Sequence, residues 1–142
     1  MSVLNKIFFG LALTSMSIVS ANAYSAKAYQ IDGQEYKIVT VFEDSTGDGR
    51  STVWESIFNE VISYNKKTKR PEIVDISVQT HGLDDRWNYA VRINCANPTQ
   101  SYVYPYGDFK NKISFKRAMA LDYGHLLHIE RKAVKGIFST YC

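Results

Sequence analysis

The chain has 142 residues, of which 45% are hydrophobic, 13% aromatic and 22% charged; 17 basic residues against 14 acidic ones leave a net charge of +3. One domain accounts for that length. The aromatic content excludes a disordered chain, the single apolar run excludes a multi-span membrane protein, and the near balance of charge leaves no electrostatic footprint for nucleic acid.

Residues 1–23 have the form of a secretory signal. Lys6 supplies the positive end, Ile7 to Ser20 is apolar with small residues interspersed, and Ala21-Asn22-Ala23 is an A-x-A cleavage site. The run is short for a membrane span and no stop-transfer run follows it, so no integral membrane segment is expected after cleavage. The expectation is an exported mature chain from Tyr24 to Cys142, periplasmic, secreted or at the cell surface. Loss of Lys6 with the leader lowers its net charge to +2. It has two cysteines, Cys95 and Cys142, and an even count in an exported chain predicts one disulfide. A reactive pair or metal pair would favour the Cys-x-x-Cys spacing that is absent. Closing so long a loop is worth roughly 4 kcal/mol in the chain-entropy picture.

Tyr24 to Gln34 is small and polar and predicts a flexible lead-in. Glu35 to Phe42 predicts a central strand, with Tyr36, Ile38, Thr40 and Phe42 on one face and Val39 and Val41 on the other. Asp44 to Gly49 is a turn, since Asp and Gly tolerate positive φ. Ser51 to Asn65 admits two readings. Trp54, Ile57, Phe58, Val61 and Ile62 recur at helical spacing, and Thr52 with Glu55 would make a capping box. The rival is a pair of short strands, Thr52 to Trp54 and Glu60 to Tyr64; periodicity favours the helix.

Lys66 to Pro71 is a charged connection. Glu72 to Thr80 alternates, Val74, Ile76 and Val78 toward a core and Asp75, Ser77 and Gln79 toward water. His81 to Arg86 is a polar loop. Trp87 to Cys95 is the clearest strand, pointing Trp87, Tyr89, Val91, Ile93 and Cys95 one way and Asn88, Arg92 and Asn94 to water. A turn at Asn97-Pro98 leads to a strand over Gln100 to Tyr106, which completes an antiparallel hairpin. Asp108 to Lys112 is a polar loop, and Ile113 to Tyr123 is ambiguous. His125 to Cys142 has Leu127, Val134, Ile137, Phe138 and Tyr141 near helical spacing despite Gly136, predicting a helix packed on the sheet. The fold class is α+β: a small antiparallel β-sheet with a C-terminal helix on it and one disulfide.

Several constellations invite a functional reading. Asp44, Thr46, Asp48, Gly49 and Glu55 fall at positions 1, 3, 5, 6 and 12 of a calcium loop, but Ser51 stands at the aliphatic position 8 and a strand precedes the loop, which favours a plain turn. His125 and His128 are three apart with Asp122 and Glu130 nearby, but without the metalloprotease pattern or a third ligand for zinc. A small hydrolase using either histidine is the third-ranked functional reading. His81 with Asp84 and Asp85 reads as a polar loop before it reads as an acid–base site. No nucleophile elbow or phosphate-cradling glycine loop occurs, so no catalytic residue, metal or cofactor is assigned. Two surfaces remain for binding: the basic cluster Lys66, Lys67, Lys69 and Arg70, suited to a sulfated glycan or lipid headgroup, and Tyr102, Tyr104 and Tyr106 on one strand face, large in area and polar at the tip.

Glu43-Asp44, Asp48-Gly49, Trp54 and Ser56-Ile57, followed by Tyr89-Ala-Val-Arg-Ile-Asn-Cys95 and the ending Ile137-Phe-Ser-Thr-Tyr-Cys142, resemble the surface-adhesin protein E-like domain family. The resemblance spans most of the mature chain, from about Tyr36 onward. It implies an antiparallel sheet with a helix against it, strands rather than a helix over 51–65, and a plain turn rather than calcium. The family includes a bacterial adhesin that binds host matrix and plasma proteins, so the resemblance implies a non-enzymatic module binding a protein or glycan ligand. This chain lacks the cysteine that would carry a lipid anchor. The alternative is a periplasmic inhibitor or immunity-type protein blocking one enzyme or toxin.

Overall fold

The computed structural model describes residues 27–31, 34–83 and 87–142. The leader at 1–23 and the pair Asp84 and Asp85 lie outside the described residues. Among the described residues seven strands follow one another across a single antiparallel sheet in chain order: β1 (Lys27–Ile31), β2 (Gln34–Ser45), β3 (Ser51–Tyr64), β4 (Pro71–Gly82), β5 (Asn88–Asn94), β6 (Tyr102–Tyr104) and β7 (Ile113–Ser114). A one-turn helix α1 (Phe115–Ala118) and the C-terminal helix α2 (Arg131–Tyr141) complete it. The expected α+β architecture is present. The lead-in departs from expectation, because 27–31 is a strand whose backbone pairs with β2 from Lys27↔Ile38 to Ile31↔Gln34.

The larger correction is at 51–65, which is one continuous strand. A bulge explains the helical look of its sequence. Phe58 pairs with Ile76 and Glu60 with Asp75, so two β3 steps match one on β4 and the face parity flips. Trp54 opposite Thr80, Phe58 opposite Ile76 and Val61 opposite Val74 therefore share a face at spacings of four and three. That is the i, i+4, i+7 pattern of a helix. The β-branched and aromatic content (Thr52, Val53, Trp54, Ile57, Phe58, Val61, Ile62, Tyr64) suits an extended strand. A second bulge, between Thr40 and Phe42, puts Phe42 opposite Trp54 and Val39 opposite Ser56, on the same face. The alternation that grouped Phe42 with Ile38 and Thr40 fails there.

One face of the sheet is the core. Trp54, Val74, Ile76, Val78, Trp87, Tyr89, Val91, Ile93 and Val103 are fully buried on it, under Ile129, Ala133 and Ile137. The indoles of Trp54 and Trp87 stack at 5.1 Å between centroids. Helix α2 begins at Glu130, whose carboxylate accepts from the Arg131 amide. It presents Ala133, Val134 and Ile137 inward and leaves Arg131, Lys132 and Lys135 exposed. Gly136 is buried because the helix backbone rests on β2: a Cβ there would lie 1.8 Å from the Val41 carbonyl oxygen. The helix end is tied twice. The Tyr141 hydroxyl is 2.8 Å from Ser56 Oγ on β3, and Cys142 is bonded to Cys95 just beyond β5. The helix is shorter than the 125–142 expected, and the stretch before it is irregular. That stretch is held down by the sheet's own aromatics: Trp87 Nε1 donates to the His125 carbonyl at 3.2 Å and the Tyr89 hydroxyl to the His128 carbonyl at 2.9 Å.

Candidate binding face

Among the described residues the helices cover only one side of the sheet. Cross-strand partners share a face, so the pairs Glu60↔Asp75, Asp75↔Arg92 and Arg92↔Tyr102 form one row across the other side. Ser77↔Ala90 and Ala90↔Tyr104 form the next row. Arg92 grips Asp75 with two hydrogen bonds, Nε to Oδ1 at 2.8 Å and Nη2 to Oδ2 at 2.7 Å. Asp75 was expected to face water and is instead buried, because Arg92 and Tyr104 from the neighbouring strands close over it. The hydrogen bond to Asp75 raises the Arg92 pKa above its usual value.

Phe109 organises the rest. Asp108 caps its 3-10 turn by accepting from the Asn111 amide at 3.3 Å, which folds the ring back over the sheet. The ring meets Tyr104 edge-on at 5.0 Å and Tyr102 at 6.4 Å. Arg92 Cζ stands 4.4 Å from its centroid and Lys112 Nζ 4.2 Å, with Lys112 also 4.8 Å from the Tyr102 ring. Two cations, two phenols and a phenyl ring thus form one cluster, continued outward by the exposed Lys110.

The three tyrosines expected on one strand face do share it, in different states. β6 ends at Tyr104, and Pro105 turns the chain. Tyr104 is buried, and burial pushes its phenol pKa up; it is a floor residue and not a contact offered to solvent. Tyr102 is half-buried. Tyr106 lies beyond the strand, reaches back to a hydrogen bond with Ser77 and remains 49% exposed. The basic cluster is elsewhere. Lys66, Lys67, Lys69 and Arg70 form the β3–β4 turn, and Pro71 is four residues along β4 from Asp75, about 13 Å at strand rise. The two candidate surfaces are therefore separate.

The remaining constellations resolve individually. β2 and β3 stay paired up to Ser45↔Ser51, so the acidic turn is a tight hairpin and Glu55 sits on a strand opposite Thr40, where it cannot close a twelve-residue calcium loop. Within the turn Thr46, Asp48 and Arg50 bond one another, and the Arg50 guanidinium lowers the Asp48 carboxyl pKa to about 2. Glu55 is also no capping residue. It is buried on the open face, accepting from Gln79 Nε2 at 3.2 Å with His81 Nδ1 at 3.2 Å. His81 extends β4 rather than starting a loop. His125 Nδ1 accepts from the Leu127 amide at 3.1 Å. His128 is buried, with Nδ1 3.0 Å from the Leu121 carbonyl; a carbonyl only accepts, so Nδ1 carries the proton. The two rings are thus engaged by the local backbone. Among the described residues no group of three or more His, Cys, Asp or Glu side chains is placed to hold a metal ion.

Arg92, Asp75, Phe109 and Lys112 were missed from the sequence. Opposite charges at outward positions of adjacent strands could have flagged the first two; nothing local marks Phe109, which sits in a polar loop. Among the described residues no helix is long and apolar enough to cross a membrane. No family model, curated protein or solved structure matches the chain.

Proposed function

We propose that the protein is an exported, non-enzymatic binding module that engages a protein or glycan ligand through the uncovered sheet face. The observation that carries this reading is the cluster of Phe109, Tyr102, Arg92 and Lys112 on the side opposite the helices. Aromatic rings and arginine are the groups enriched at binding surfaces, because they combine large contact area with few rotatable bonds and polar edges. The exposed Lys110 and Lys112 favour an acidic partner. The resemblance to surface-adhesin protein E-like domains supports the same reading and suggests host matrix or plasma proteins as ligands.

The test is binding of the mature chain to immobilised host proteins and to envelope extract, with Tyr102→Ala and Lys112→Ala as probes. A central aromatic anchor is worth about 2 kcal/mol, so Tyr102→Ala is expected to weaken binding roughly thirtyfold. Folded variants that bind as well as wild type would remove this face from the function. The disulfide and the pinned C-terminal segment also suit a pre-organised inhibitor of one enzyme or toxin. Protease treatment of intact cells separates the two: digestion of the protein while a periplasmic marker survives supports the adhesin reading, and protection of both supports the inhibitor, which would bind one partner tightly at a fixed ratio.

A further inference from the structure

The second half of β3 and the β3–β4 turn form an arm along the free edge of the sheet. The last pair between β2 and β3 is Ile38↔Ile57, so Phe58 to Tyr64 pair with β4 alone among the described residues. On the other side β4 stays joined to β5 almost to its start, through the pair Ile73↔Asn94 and the Cys95 amide donating to the Glu72 carbonyl at 2.8 Å. This arm carries exposed apolar groups where a sheet edge would ordinarily be blunted with charge: Phe58 is 44% exposed, Ile62 42% and Tyr64 56%. At its tip stand Lys66, Lys67, Lys69 and Arg70, four of the chain's 17 basic residues within five positions, all exposed.

The tip is built to hold that charge outward. Asn65 Oδ1 accepts from the Lys67 and Thr68 amides at 3.0 Å each, and the Asn65 carbonyl accepts from the Lys69 amide at 2.9 Å. Lys69 takes the left-handed conformation at φ 59° to close the turn. Among the described residues none of the four cations has a carboxylate within ion-pair distance. Beside them is a depression of about 560 Å³ lined by Ser63, Tyr64, Asn65, Lys66, Lys67 and Glu72. Among the described residues Ser63 Oγ, buried in that wall, has no hydrogen-bond partner.

We infer that this arm docks on an anionic lipid surface. Uncompensated cations beside exposed aliphatic and tyrosyl side chains form an interfacial combination: the cations are drawn to headgroup phosphates, and Ile62 and Tyr64 enter the headgroup–acyl boundary. A sulfated glycan would satisfy the cations and leave the aliphatic side chain of Ile62 without a partner. The depression accepts a headgroup between Lys66 and Lys67. This site is separate from the aromatic face, so the mature protein would hold a membrane and a ligand at once.

Sedimentation of the full mature chain with vesicles tests the inference. Binding is expected to vesicles of phosphatidylcholine mixed with phosphatidylglycerol and not to phosphatidylcholine alone, and to fall with added salt as screening sets in. Each neutralised cation is expected to weaken it about fivefold, so the combined variant Lys66→Gln, Lys67→Gln, Lys69→Asn and Arg70→Gln loses roughly 600-fold. Ile62→Ser with Tyr64→Ser is expected to remove the binding that survives high salt. Circular dichroism confirms folding of each variant, and Ser139→Ala, exposed on α2 and outside the arm, is expected to sediment like wild type. Equal binding to both vesicle types, or tip variants that sediment unchanged, would overturn the inference. Retention on heparin without vesicle binding would overturn it in favour of a glycan.

Discussion

Helix α2 is seated on β2 through a residue without a side chain, and that contact can be probed with one methyl group. In Gly136→Ala the new Cβ would lie 1.8 Å from the Val41 carbonyl oxygen and 2.7 Å from its carbon. Real Cβ contacts do not fall below 3.0 Å, so the helix or β2 must retreat by at least 1.2 Å. Neither moves freely: Ile137 and Ala133 are fully buried beside the glycine, and Tyr141 and Cys142 tie the helix end to β3 and β5. Alanine gains up to about 1 kcal/mol in helix propensity. Over-packing against a rigid backbone costs about 1–3 kcal/mol, and more where the neighbour cannot yield. A clash with main-chain atoms belongs at or above the top of that range, so the net expectation is a loss of about 2 kcal/mol. Urea unfolding monitored by tryptophan fluorescence measures it, with Ser139→Ala on the exposed side of the helix as a near-neutral control. An unchanged or raised midpoint for Gly136→Ala would refute the close approach.

Joint replacement of Cys95 and Cys142 by alanine opens a bridge between residues 47 apart and is expected to cost about 4 kcal/mol by denaturant titration. At the Asp75–Arg92 pair, side-chain exposure is 10% for the acid and 30% for the base. Removing Arg92 strands the deeper charge, so Arg92→Met should destabilise more than Asp75→Asn, by about 2 kcal/mol against about 1, the usual cost of a broken buried pair being discounted for the wet arginine. Burial raises the Tyr89 phenol pKa well above 10, and Tyr141 and Tyr106 are also raised. The folded chain holds those protons more tightly than the unfolded one, so stability is full below about pH 10 and is lost as pH rises past it. The phenolate absorbance of the buried Tyr89 should therefore appear with cooperative unfolding rather than as a simple titration, and Tyr89→Phe should shift the alkaline transition upward. Asp48 should titrate near pH 2 by carboxyl NMR, and Arg50→Ala should return it toward 3.8. Because Glu55 is held opposite Thr40, millimolar calcium should leave the unfolding midpoint unchanged.

Local pattern was sufficient where one residue's environment follows from its neighbours in the chain. The strands over 72–80 and 87–95, the turn at 44–49 and the amphipathic C-terminal helix were legible that way, since alternation and positive-φ residues act at short range, and the single disulfide was legible from the cysteine count alone. The basic cluster and the outward tyrosines were legible as chemistry. Their placement on separate surfaces, with Tyr104 as floor and Tyr106 as rim, was not. Tertiary structure decided the rest. The bulge between Phe58 and Glu60 inverted face parity within β3 and so produced a helical spacing in an extended strand; pairing with β4 on one side, and with β2 along its first half, outweighed that periodicity. Asp75 was drawn inside because Arg92, 17 residues away, supplied its counter-charge, and Phe109 left a polar loop because the open face offered it two tyrosines and two cations. These outcomes depend on which strands become neighbours, and that information is carried by long-range pairing rather than by any window of the chain.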